Sequence, residues 1–267
     1  MKISIDSKIN LDNQNCLVTG AFGNLGRVIL ETFAELGANI IALDLLDAID
    51  EKIVEKLREK YNIKIDIYPI DLSNKKDLLE VCNQINSSYK NIKCLVNNAG
   101  VLTNYFEKGW NCSFEEQNTD LWEKVFSVNT SAPFILSQRL KPLLEKGNGS
   151  IINISSIYGL VGPKLYIYQG TELENPAGYA FSKAALNQMT KWLASNMAPE
   201  VRVNSIILGG IKRGQSELFV TNYEKNVLLK RMANSEDIVG AIIFLGTDLS
   251  TYTTGSNLFV DGGWCAT

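Results

Sequence analysis

Histidine is absent from all 267 residues of the chain. Without imidazole, Ser-His-Asp and Cys-His catalysis, an HExxH zinc site and a histidine-based proton switch are all excluded. Acid–base chemistry must then come from carboxylates, tyrosine, lysine or cysteine. The five cysteines form no CxxC pair and show no metal-ligand spacing, so the sequence predicts no metal site.

Long apolar runs and an excess of basic residues are missing as well. No apolar run reaches the roughly 18 residues that a membrane span needs, and the opening MKISIDSKIN carries an acid, unlike a secretory signal. A net charge of −3 with scattered Lys and Arg gives no basic face for nucleic acid. We therefore expect a cytoplasmic protein with a small-molecule substrate and neither a nucleic-acid nor a membrane partner.

Short β-branched runs alternate with helix-like segments from end to end. The predicted strands are Cys16–Thr19, Ile40–Asp44, Ile65–Ile70, Ile92–Asn97, Ser150–Ser155, Val201–Leu208 and Asn257–Val260. The predicted helices are Asn24–Leu36, Ile49–Tyr61, Lys75–Tyr89, Thr119–Glu145, Ala177–Met197 and Ser235–Gly246. This pattern indicates one α/β domain over residues 1–267, a Rossmann-type doubly wound sheet of seven parallel strands with helices on both faces.

The segment LVTGAFGNLG, residues 17–26, places three glycines between an apolar run and a helix-like pattern. A strand, a glycine turn and a helix N-terminus in this order predict a phosphate-binding turn, because backbone N–H groups there are unpaired. Asp44 ends the second predicted strand, where a carboxylate would bind an adenosine ribose and repel a 2′-phosphate. Leu45 and Leu46 offer no cation to that phosphate, although Arg27 lies one turn into the helix. We therefore predict NAD as cofactor, with NADP less favoured.

Tyr179 and Lys183 stand four residues apart in the segment YAFSK, which puts both side chains on one helix face. A tyrosine in water titrates near ~10 and is a poor base at neutral pH. A neighbouring cation favours the phenolate and lowers the pKa of such a group by roughly 1–3 units. The pair can therefore act as a general acid–base group without histidine.

Ordered motifs along almost the whole chain resemble the short-chain dehydrogenase/reductase family, in its smaller single-domain subgroup. In chain order they are VTGAFGNLG, Asp71-Leu72, Asn97-Asn98-Ala99-Gly100, Val128-Asn129, Ile151–Ser156, Tyr179–Lys183, Val201–Ser205 and Val260–Gly263. The resemblance implies an oxidoreductase that transfers a hydride between NAD(P) and a hydroxyl or carbonyl group. It also implies a homo-tetramer or homo-dimer that uses the helices Thr119–Glu145 and Ala177–Met197.

The resemblance further implies a catalytic tetrad of Asn129, Ser156, Tyr179 and Lys183. Tyr179 would exchange a proton with the substrate oxygen, and Ser156, preferred over Ser155, would hydrogen-bond that oxygen. Lys183 would lower the phenol pKa and bind the nicotinamide ribose, while Asn129 would hold a water that links Lys183 to solvent. The predicted cofactor-binding residues are Gly20, Gly23, Asn24, Leu25, Gly26, Asp44, Asp71, Leu72, Asn98, Ala99, Gly100, Tyr179, Lys183, Gly209 and Ile211.

The chain departs from the family pattern in three places. Ser156 and Tyr179 lie 23 positions apart, a longer separation than most of the family shows. Leu208-Gly209 stands where the family has Pro-Gly, and Arg213 replaces the threonine that meets the carboxamide. The glycine spacing is that of the sugar-nucleotide epimerases and dehydratases. We expect Gly23 to make the close phosphate approach and Asn24 to adopt a left-handed conformation.

Two long segments, Leu102–Asn118 and Gly159–Gly178, do not fit the alternation and are expected to meet over the carboxyl edge of the sheet, where ligands bind. Counting Tyr158 directly before the second segment, their aromatic side chains are Tyr105, Trp110, Phe114, Tyr158, Tyr166 and Tyr168, and they stand among many hydrogen-bonding groups. This mixture suits a polar substrate such as a sugar or activated sugar. The second segment also looks similar to family members from bacterial surface- and flagellar-sugar pathways.

Three hypotheses for the function follow. The first is an NAD-dependent alcohol dehydrogenase or carbonyl reductase, supported by the complete tetrad. The second is an NAD-using sugar epimerase or dehydratase, prompted by the glycine spacing and weakened because only four residues follow Gly263. The third is a non-catalytic dinucleotide-binding protein, prompted by the altered segment from Leu208 to Arg213 and weakened by the intact Tyr179 and Lys183.

Overall fold

The computed structural model describes residues 4–101 and 108–266, and this part of the chain forms one parallel sheet of seven strands. The strand order is β3-β2-β1-β4-β5-β6-β7. The strands are β1 (Asn15–Thr19), β2 (Asn39–Asp44), β3 (Ile65–Pro69), β4 (Cys94–Asn97), β5 (Ser150–Ser156), β6 (Arg202–Leu208) and β7 (Asn257–Val260). The Rossmann-type doubly wound fold predicted from the sequence is confirmed.

Helices cover both faces of the sheet. They are α1 (Ile5–Ile9), α2 (Asn24–Glu35), α3 (Glu51–Tyr61), α4 (Lys75–Ser88), α5 (Thr119–Phe126), α6 (Ala132–Arg139), α7 (Lys141–Lys146), α8 (Ala177–Met197), α9 (Glu217–Glu224) and α10 (Val239–Gly246). Helices α1 and α9 are not among the helices predicted from the sequence. Within the described residues, no helix combines the length and apolarity that crossing a membrane requires.

Apolar side chains form one core on each face of the sheet and a third, separate cluster that includes Ile207 of β6. Alternate residues of β1 show the division, because Cys16 and Val18 pack into one core and Leu17 into the other. The third, here named the outer cluster, contains Ile157, Ile167, Tyr168, Ile207, Phe219, Tyr223, Val227, Met232 and Trp264. It joins the long segment after β5 to α9 and to the residues that follow β7.

The predicted helix Thr119–Glu145 is wrong as a single element. It divides into α5, a π-helical turn over Ser127–Ser131, α6 and α7. Proline stands in the first turn of α6 and of α7, at Pro133 and Pro142. Proline cannot donate the backbone hydrogen bond of a continuous helix, so a new segment starts at each.

The predicted helix Ser235–Gly246 begins at Ser235 as expected, but its first turn is 3₁₀ rather than α-helical. Asn234 caps the segment together with Asp237, and a 3₁₀ turn over Ser235–Ile238 precedes α10. The Asp237 side chain therefore takes part in a capping box with Asn234.

The glycine turn after β1 differs from expectation at Asn24. This residue is the first of α2 and is right-handed, whereas Gly20 takes the left-handed conformation with a φ of +60°. A Cβ on Gly20 would lie 2.9 Å from the Ala99 Cα, and one on Gly26 would lie 2.0 Å from the Gly20 carbonyl oxygen. The expectation for Asn24 is wrong because the helix begins directly after Gly23.

Candidate active site

The predicted site residues follow the carboxyl ends of neighbouring strands. In sheet order these positions are Asp71 after β3, Asp44 in β2, Gly20 after β1, Asn98 after β4, Ser156 in β5 and Gly209 after β6. The chain reverses its direction of winding between β1 and β4, which opens a crevice at this edge. One edge of the sheet therefore carries both the glycine turn and the tetrad residues.

The ends of β1, β2 and β4 are tied together by side chains. The Asn98 amide donates to the Thr19 and Gly20 carbonyls at 3.0 and 2.9 Å. The Asp44 carboxylate accepts from the Phe22 N–H at 2.8 Å and from the Leu45 N–H at 2.9 Å. Asn98 and Asp44 thus hold the glycine turn in shape, a role that the sequence analysis did not foresee.

The charged side chains near the predicted ribose position, Arg27 and Asp71, already form hydrogen bonds or ion pairs within the protein. The Arg27 guanidinium donates to the Phe22 carbonyl at 2.7 Å and pairs with Asp50 at 3.3 Å. The Asp71 carboxylate accepts from the Ser73 N–H and hydroxyl at 2.8 and 2.7 Å. Arg27 is therefore held toward the turn and toward α3.

A cleft opens at the carboxyl ends of β5 and β6. The predicted site residues on its wall are Leu25, Asn98, Gly100, Ser156, Tyr179, Lys183, Gly209 and Ile211. Ser155 and Arg213 also line it. The other predicted residues, Gly20, Gly23, Asn24, Gly26, Asp44, Asp71, Leu72 and Ala99, belong to the same edge of the sheet, on the side of β1 to β3 or in the β4 turn.

Strand β5 and helix α8 are locked together beneath the cleft. A Cβ on Gly159 would lie 2.7 Å from the Lys183 carbonyl carbon, so only glycine permits this approach. The Asn187 amide donates to the Gly159 carbonyl at 3.1 Å, and the Ser155 hydroxyl donates to the Lys183 carbonyl at 3.3 Å. These contacts fix the turn after Ser156 relative to the helix that carries Tyr179 and Lys183.

The Lys183 ammonium is buried, with 4% of the residue exposed. It donates to the Ile154 carbonyl at 2.8 Å and lies 5.8 Å from the centre of the Tyr179 ring. Burial lowers the pKa of Lys183 to about 8, because the charged form is poorly solvated. Burial therefore weakens the preference of Lys183 for its charged form.

Asn129 lies in the π-helical turn between α5 and α6 and is buried. Its side-chain oxygen accepts from the Val101 N–H at 2.8 Å, and its amide donates to the Ser182 hydroxyl at 3.1 Å. A Cβ on Gly100 would lie 3.5 Å from Lys183 Nζ and 3.7 Å from Asn129 Oδ1. The Lys183 ammonium and the Asn129 side-chain oxygen therefore both border the space beside Gly100.

The two adjacent serines make different bonds. The Ser155 hydroxyl donates into α8, as described above, whereas the Ser156 oxygen accepts from the Tyr158 N–H at 3.2 Å. A hydroxyl that accepts in this way keeps its own proton for a further acceptor. The geometry favours Ser156 over Ser155 as the serine that meets a ligand.

The long segment between Ser156 and Tyr179 forms one wall of the cleft. Its residues Tyr158, Tyr168, Glu174 and Asn175 line the cleft, as does the buried Trp110 from the other long segment. Asn111 joins the two segments, because its side-chain oxygen accepts from the Glu174 N–H at 2.6 Å. The expected meeting of the two segments is therefore seen in their described parts.

Some residues of these segments differ from expectation. Tyr166 and Phe114 are exposed and do not belong to the cleft wall. Tyr105 and Glu107 lie outside the described residues.

Tyr223 anchors the loop after β6, which the sequence analysis missed. Its hydroxyl accepts from the Gly210 N–H at 2.5 Å, and its ring stacks on Trp264 with 4.5 Å between centroids. Lys164 lies 4.9 Å above the Trp264 ring. Tyr223, Trp264 and Lys164, from three distant segments, therefore support the wall near Gly210. No local pattern in the sequence indicates this contact.

Arg213, the residue in place of the family's threonine, has its backbone N–H bound by a neighbour. The Gln215 side chain accepts from this N–H at 2.6 Å and donates to the Ile211 carbonyl at 2.8 Å. Arg213 and Gln215 both line the cleft.

Three curated relatives align with nearly the whole chain. A 3-oxoacyl-[acyl-carrier-protein] reductase of Thermotoga maritima is 30% identical over 263 residues, 96% of this chain and 99% of the relative. A 2-dehydro-3-deoxy-D-gluconate 5-dehydrogenase of Pseudoalteromonas atlantica is 30% identical, with 96% and 98% covered. Post-translational flagellin modification protein A of Campylobacter coli is 28% identical, with 95% and 99% covered.

Solved structures show the same architecture. A short chain dehydrogenase from Leptospira borgpetersenii with bound NAD⁺ is 30% identical and superposes with a TM-score of 0.83 over 99% of this chain and 96% of that one. A protein from Beutenbergia cavernae with bound NADP at low occupancy is 26% identical, with a TM-score of 0.85 over 97% and 100%.

A family model described as enoyl-(acyl carrier protein) reductase matches residues 20–265. Together with the relatives above, this match confirms the resemblance noted in the sequence. The chain belongs to the short-chain dehydrogenase/reductase family and is an NAD(P)-dependent oxidoreductase.

Proposed function

We propose that the chain is an NAD-dependent dehydrogenase or reductase that acts on a hydroxyl or carbonyl group of a polyhydroxylated substrate. The observation that carries the proposal is the convergence of Ser156, Tyr179 and Lys183 on one cleft, with Asn129 across the space beside Gly100. A phenol, a hydroxyl and a buried ammonium in this arrangement serve proton transfer to or from a substrate oxygen.

Each residue of the tetrad has a separate role in this proposal. In the oxidative direction Tyr179 takes the proton of the substrate hydroxyl, and Ser156 donates a hydrogen bond to the same oxygen. The Lys183 ammonium beside the Tyr179 ring favours the phenolate. Asn129 holds a water in the space beside Gly100, through which the proton reaches solvent.

The glycine turn fits a nicotinamide dinucleotide. Helix α2 begins without a side-chain cap, so its first N–H groups can meet a pyrophosphate. Gly20 and Gly26 have packing reasons to be glycine, whereas a Cβ on Gly23 would make only an ordinary contact, 3.4 Å from the Gly20 carbonyl oxygen. This leaves close approach of a phosphate as the reason for Gly23. When bound, the nicotinamide supplies or accepts the hydride.

The preference for NAD rests on Asp44 and Arg27. The Asp44 carboxylate stands at the end of β2, where it repels a 2′-phosphate, and the Arg27 guanidinium is engaged by Phe22 and Asp50. Related structures carry either cofactor, since one was solved with NAD⁺ and one with NADP.

The polar wall supports a polyhydroxylated substrate. Tyr158, Tyr168, Asn175 and Gln215 present hydrogen-bonding groups to the cleft, and Glu174 and Arg213 add charges of both signs. The name of one relative points the same way, because 2-dehydro-3-deoxy-D-gluconate is a sugar acid. The name of the acyl-carrier-protein reductase points to a competing substrate class, the 3-oxoacyl thioesters, and apolar side chains such as Leu173, Phe219 and Met232 also line the cleft.

We also propose a homo-oligomer that uses the outer faces of α5 and α8. Phe181 and Trp192 of α8 are each about half exposed, at 52% and 53%. Trp122 of α5 packs against Phe181 with 5.2 Å between centroids. An exposed aromatic surface of this kind is typical of an interface.

Replacing Tyr179 with Phe tests the mechanism. The variant should bind NAD⁺ with affinity close to that of the wild type, while kcat falls by about 10²–10⁴-fold because the proton acceptor is gone. Nicotinamide absorbance is followed across a panel of polyols, phosphate- and nucleotide-linked sugars and a 3-oxoacyl thioester. Tyr252→Phe, at a fully exposed tyrosine, is the matched control. Unchanged turnover in Tyr179→Phe would remove the proposed mechanism.

Asp44→Asn tests the cofactor preference. The amide keeps one acceptor for the Phe22 N–H but loses the charge that repels a 2′-phosphate. We expect the ratio of the dissociation constants of NADP⁺ and NAD⁺, measured by calorimetry, to fall about tenfold. Asp47→Asn, at an exposed acid three positions further on, should leave the ratio unchanged. An equal ratio in Asp44→Asn and wild type would contradict the preference.

Gly23→Ala and Gly26→Ala separate binding from packing. The Gly23 variant should keep its Tm within roughly 3 °C but bind NAD⁺ about tenfold more weakly, because the methyl group obstructs the phosphate. The Gly26 variant places a methyl group 2.0 Å from a carbonyl oxygen, so its free energy of unfolding should fall by about 1–3 kcal/mol or more. Equal NAD⁺ affinity in Gly23→Ala and wild type would refute the assigned role of Gly23.

Lys183→Met should lose turnover and gain stability. Because burial lowers the pKa of Lys183 from 10.5 to about 8, keeping the charge costs about 3 kcal/mol at pH 7. Loss of the bond to the Ile154 carbonyl offsets part of this, so we expect a net gain of about 1 kcal/mol at pH 7. Between about pH 8 and 10.5 the unfolded wild type binds more protons than the folded form, so wild-type stability rises with pH and the gain shrinks. Urea unfolding at several pH values measures this, and a gain that does not change with pH would contradict the assignment.

A further inference from the structure

Tyr158 is a second tyrosine in the cleft, besides Tyr179. It follows Ser156 by two positions, within the 3₁₀ turn Ile157–Gly159. The end of that turn is fixed on α8 by the close approach of Gly159 and by Asn187. The position of Tyr158 relative to Ser156 and Tyr179 is therefore set by backbone packing.

The long segment after β5 holds the Tyr158 hydroxyl from the other side. The hydroxyls of Tyr158 and Tyr168 are 2.6 Å apart, and the Asn175 amide donates to the Tyr168 hydroxyl at 3.1 Å. Tyr168 is 7% exposed and packs on Phe219 in the outer cluster, with 5.5 Å between centroids. The Tyr158–Tyr168–Asn175 chain is thus a preorganised polar group on the wall of the cleft.

Tyr158 and Tyr179, which both line the cleft, have opposite electrostatic surroundings. Tyr179 lies beside the Lys183 ammonium, whereas the hydroxyl of Tyr158 meets another phenol. Burial and the neighbouring phenol raise the pKa of Tyr158 well above its usual value. Tyr158 is therefore a neutral phenol at neutral pH, and its hydroxyl can donate or accept a hydrogen bond.

We propose that Tyr158, held by Tyr168 and Asn175, binds a second oxygen of the substrate, distinct from the oxygen that meets Ser156 and Tyr179. The site then selects diols and hydroxyketones over compounds with a single oxygen. This inference rests on the proposed function and adds to it the feature of the substrate that is recognised. A buried polar group built for a hydroxyl disfavours an analogue that lacks it, because the group loses a partner.

The test compares cyclohexane-1,2-diol and cyclohexane-1,3-diol with cyclohexanol as substrates with NAD⁺. Wild-type kcat/KM should be higher for at least one diol than for cyclohexanol. In Tyr158→Phe the ratio of kcat/KM for that diol to kcat/KM for cyclohexanol should fall about tenfold, as expected for one lost hydrogen bond to a neutral group. Tyr168→Phe keeps the Tyr158 hydroxyl but removes the hydroxyl that is hydrogen-bonded to it. This variant should lower the same ratio by a smaller factor.

Tyr166→Phe is the matched control, because Tyr166 lies on the same segment and its exposed hydroxyl bonds Asn226 instead of facing the cleft. Its ratio should equal that of the wild type. Thermal melting and NAD⁺ affinity confirm that each variant is folded. An unchanged ratio in Tyr158→Phe, or a wild type that turns over neither diol or prefers cyclohexanol, overturns the inference. Loss of turnover in Tyr179→Phe reports separately on the proposed function.

Discussion

The contact between β5 and α8 is the constraint on which the site depends. Gly159 lets the turn after β5 touch the α8 backbone at Lys183, and the Lys183 ammonium reaches back to the Ile154 carbonyl. Each element supplies hydrogen-bonding groups to the other. The Ile154 carbonyl of β5 accepts from the Lys183 ammonium, the Lys183 carbonyl of α8 accepts from the Ser155 hydroxyl, and the Asn187 amide of α8 donates to the Gly159 carbonyl. A serine on a strand and a tyrosine on a helix can act on one atom only if the two elements cannot slide. Glycine at position 159 is what permits that fixed contact.

The long segment after β5 builds on this contact. It packs Ile167 and Tyr168 into the outer cluster, where Tyr223 binds the loop after β6 and Trp264 covers Tyr223. The wall of the cleft and the loop after β6 therefore share one apolar support. A change in the long segment after β5 would also disturb Gly209 and Gly210. In a family whose substrates differ widely, this coupling restricts how the segment can vary.

Local patterns in the sequence predicted the fold, but they did not predict the contacts between segments that are distant in the chain. Alternating strands and helices gave all seven strands of the described sheet, and the Tyr179–Lys183 spacing placed both residues on one helix. The breaks in the predicted helix from Thr119 follow from local sequence too, because Pro133 and Pro142 cannot continue a helical hydrogen-bond ladder. The pairing of Tyr158 with Tyr168 and the bond from Gly210 to Tyr223 were not readable, because each depends on how a loop folds in space.

The unusual glycine spacing has a cause in packing, and this bears on the choice between hypotheses. Gly20 must be glycine for its left-handed backbone and its approach to Ala99, and Gly26 for its approach to the Gly20 carbonyl. Neither requirement concerns the reaction. The remaining glycine stands at position 23 in this chain, where the family's usual spacing has it at position 24. This shift changes only which residue at the start of α2 lacks a side chain. The spacing therefore describes the shape of a turn, and it lends the epimerase hypothesis no support that the dehydrogenase hypothesis does not share.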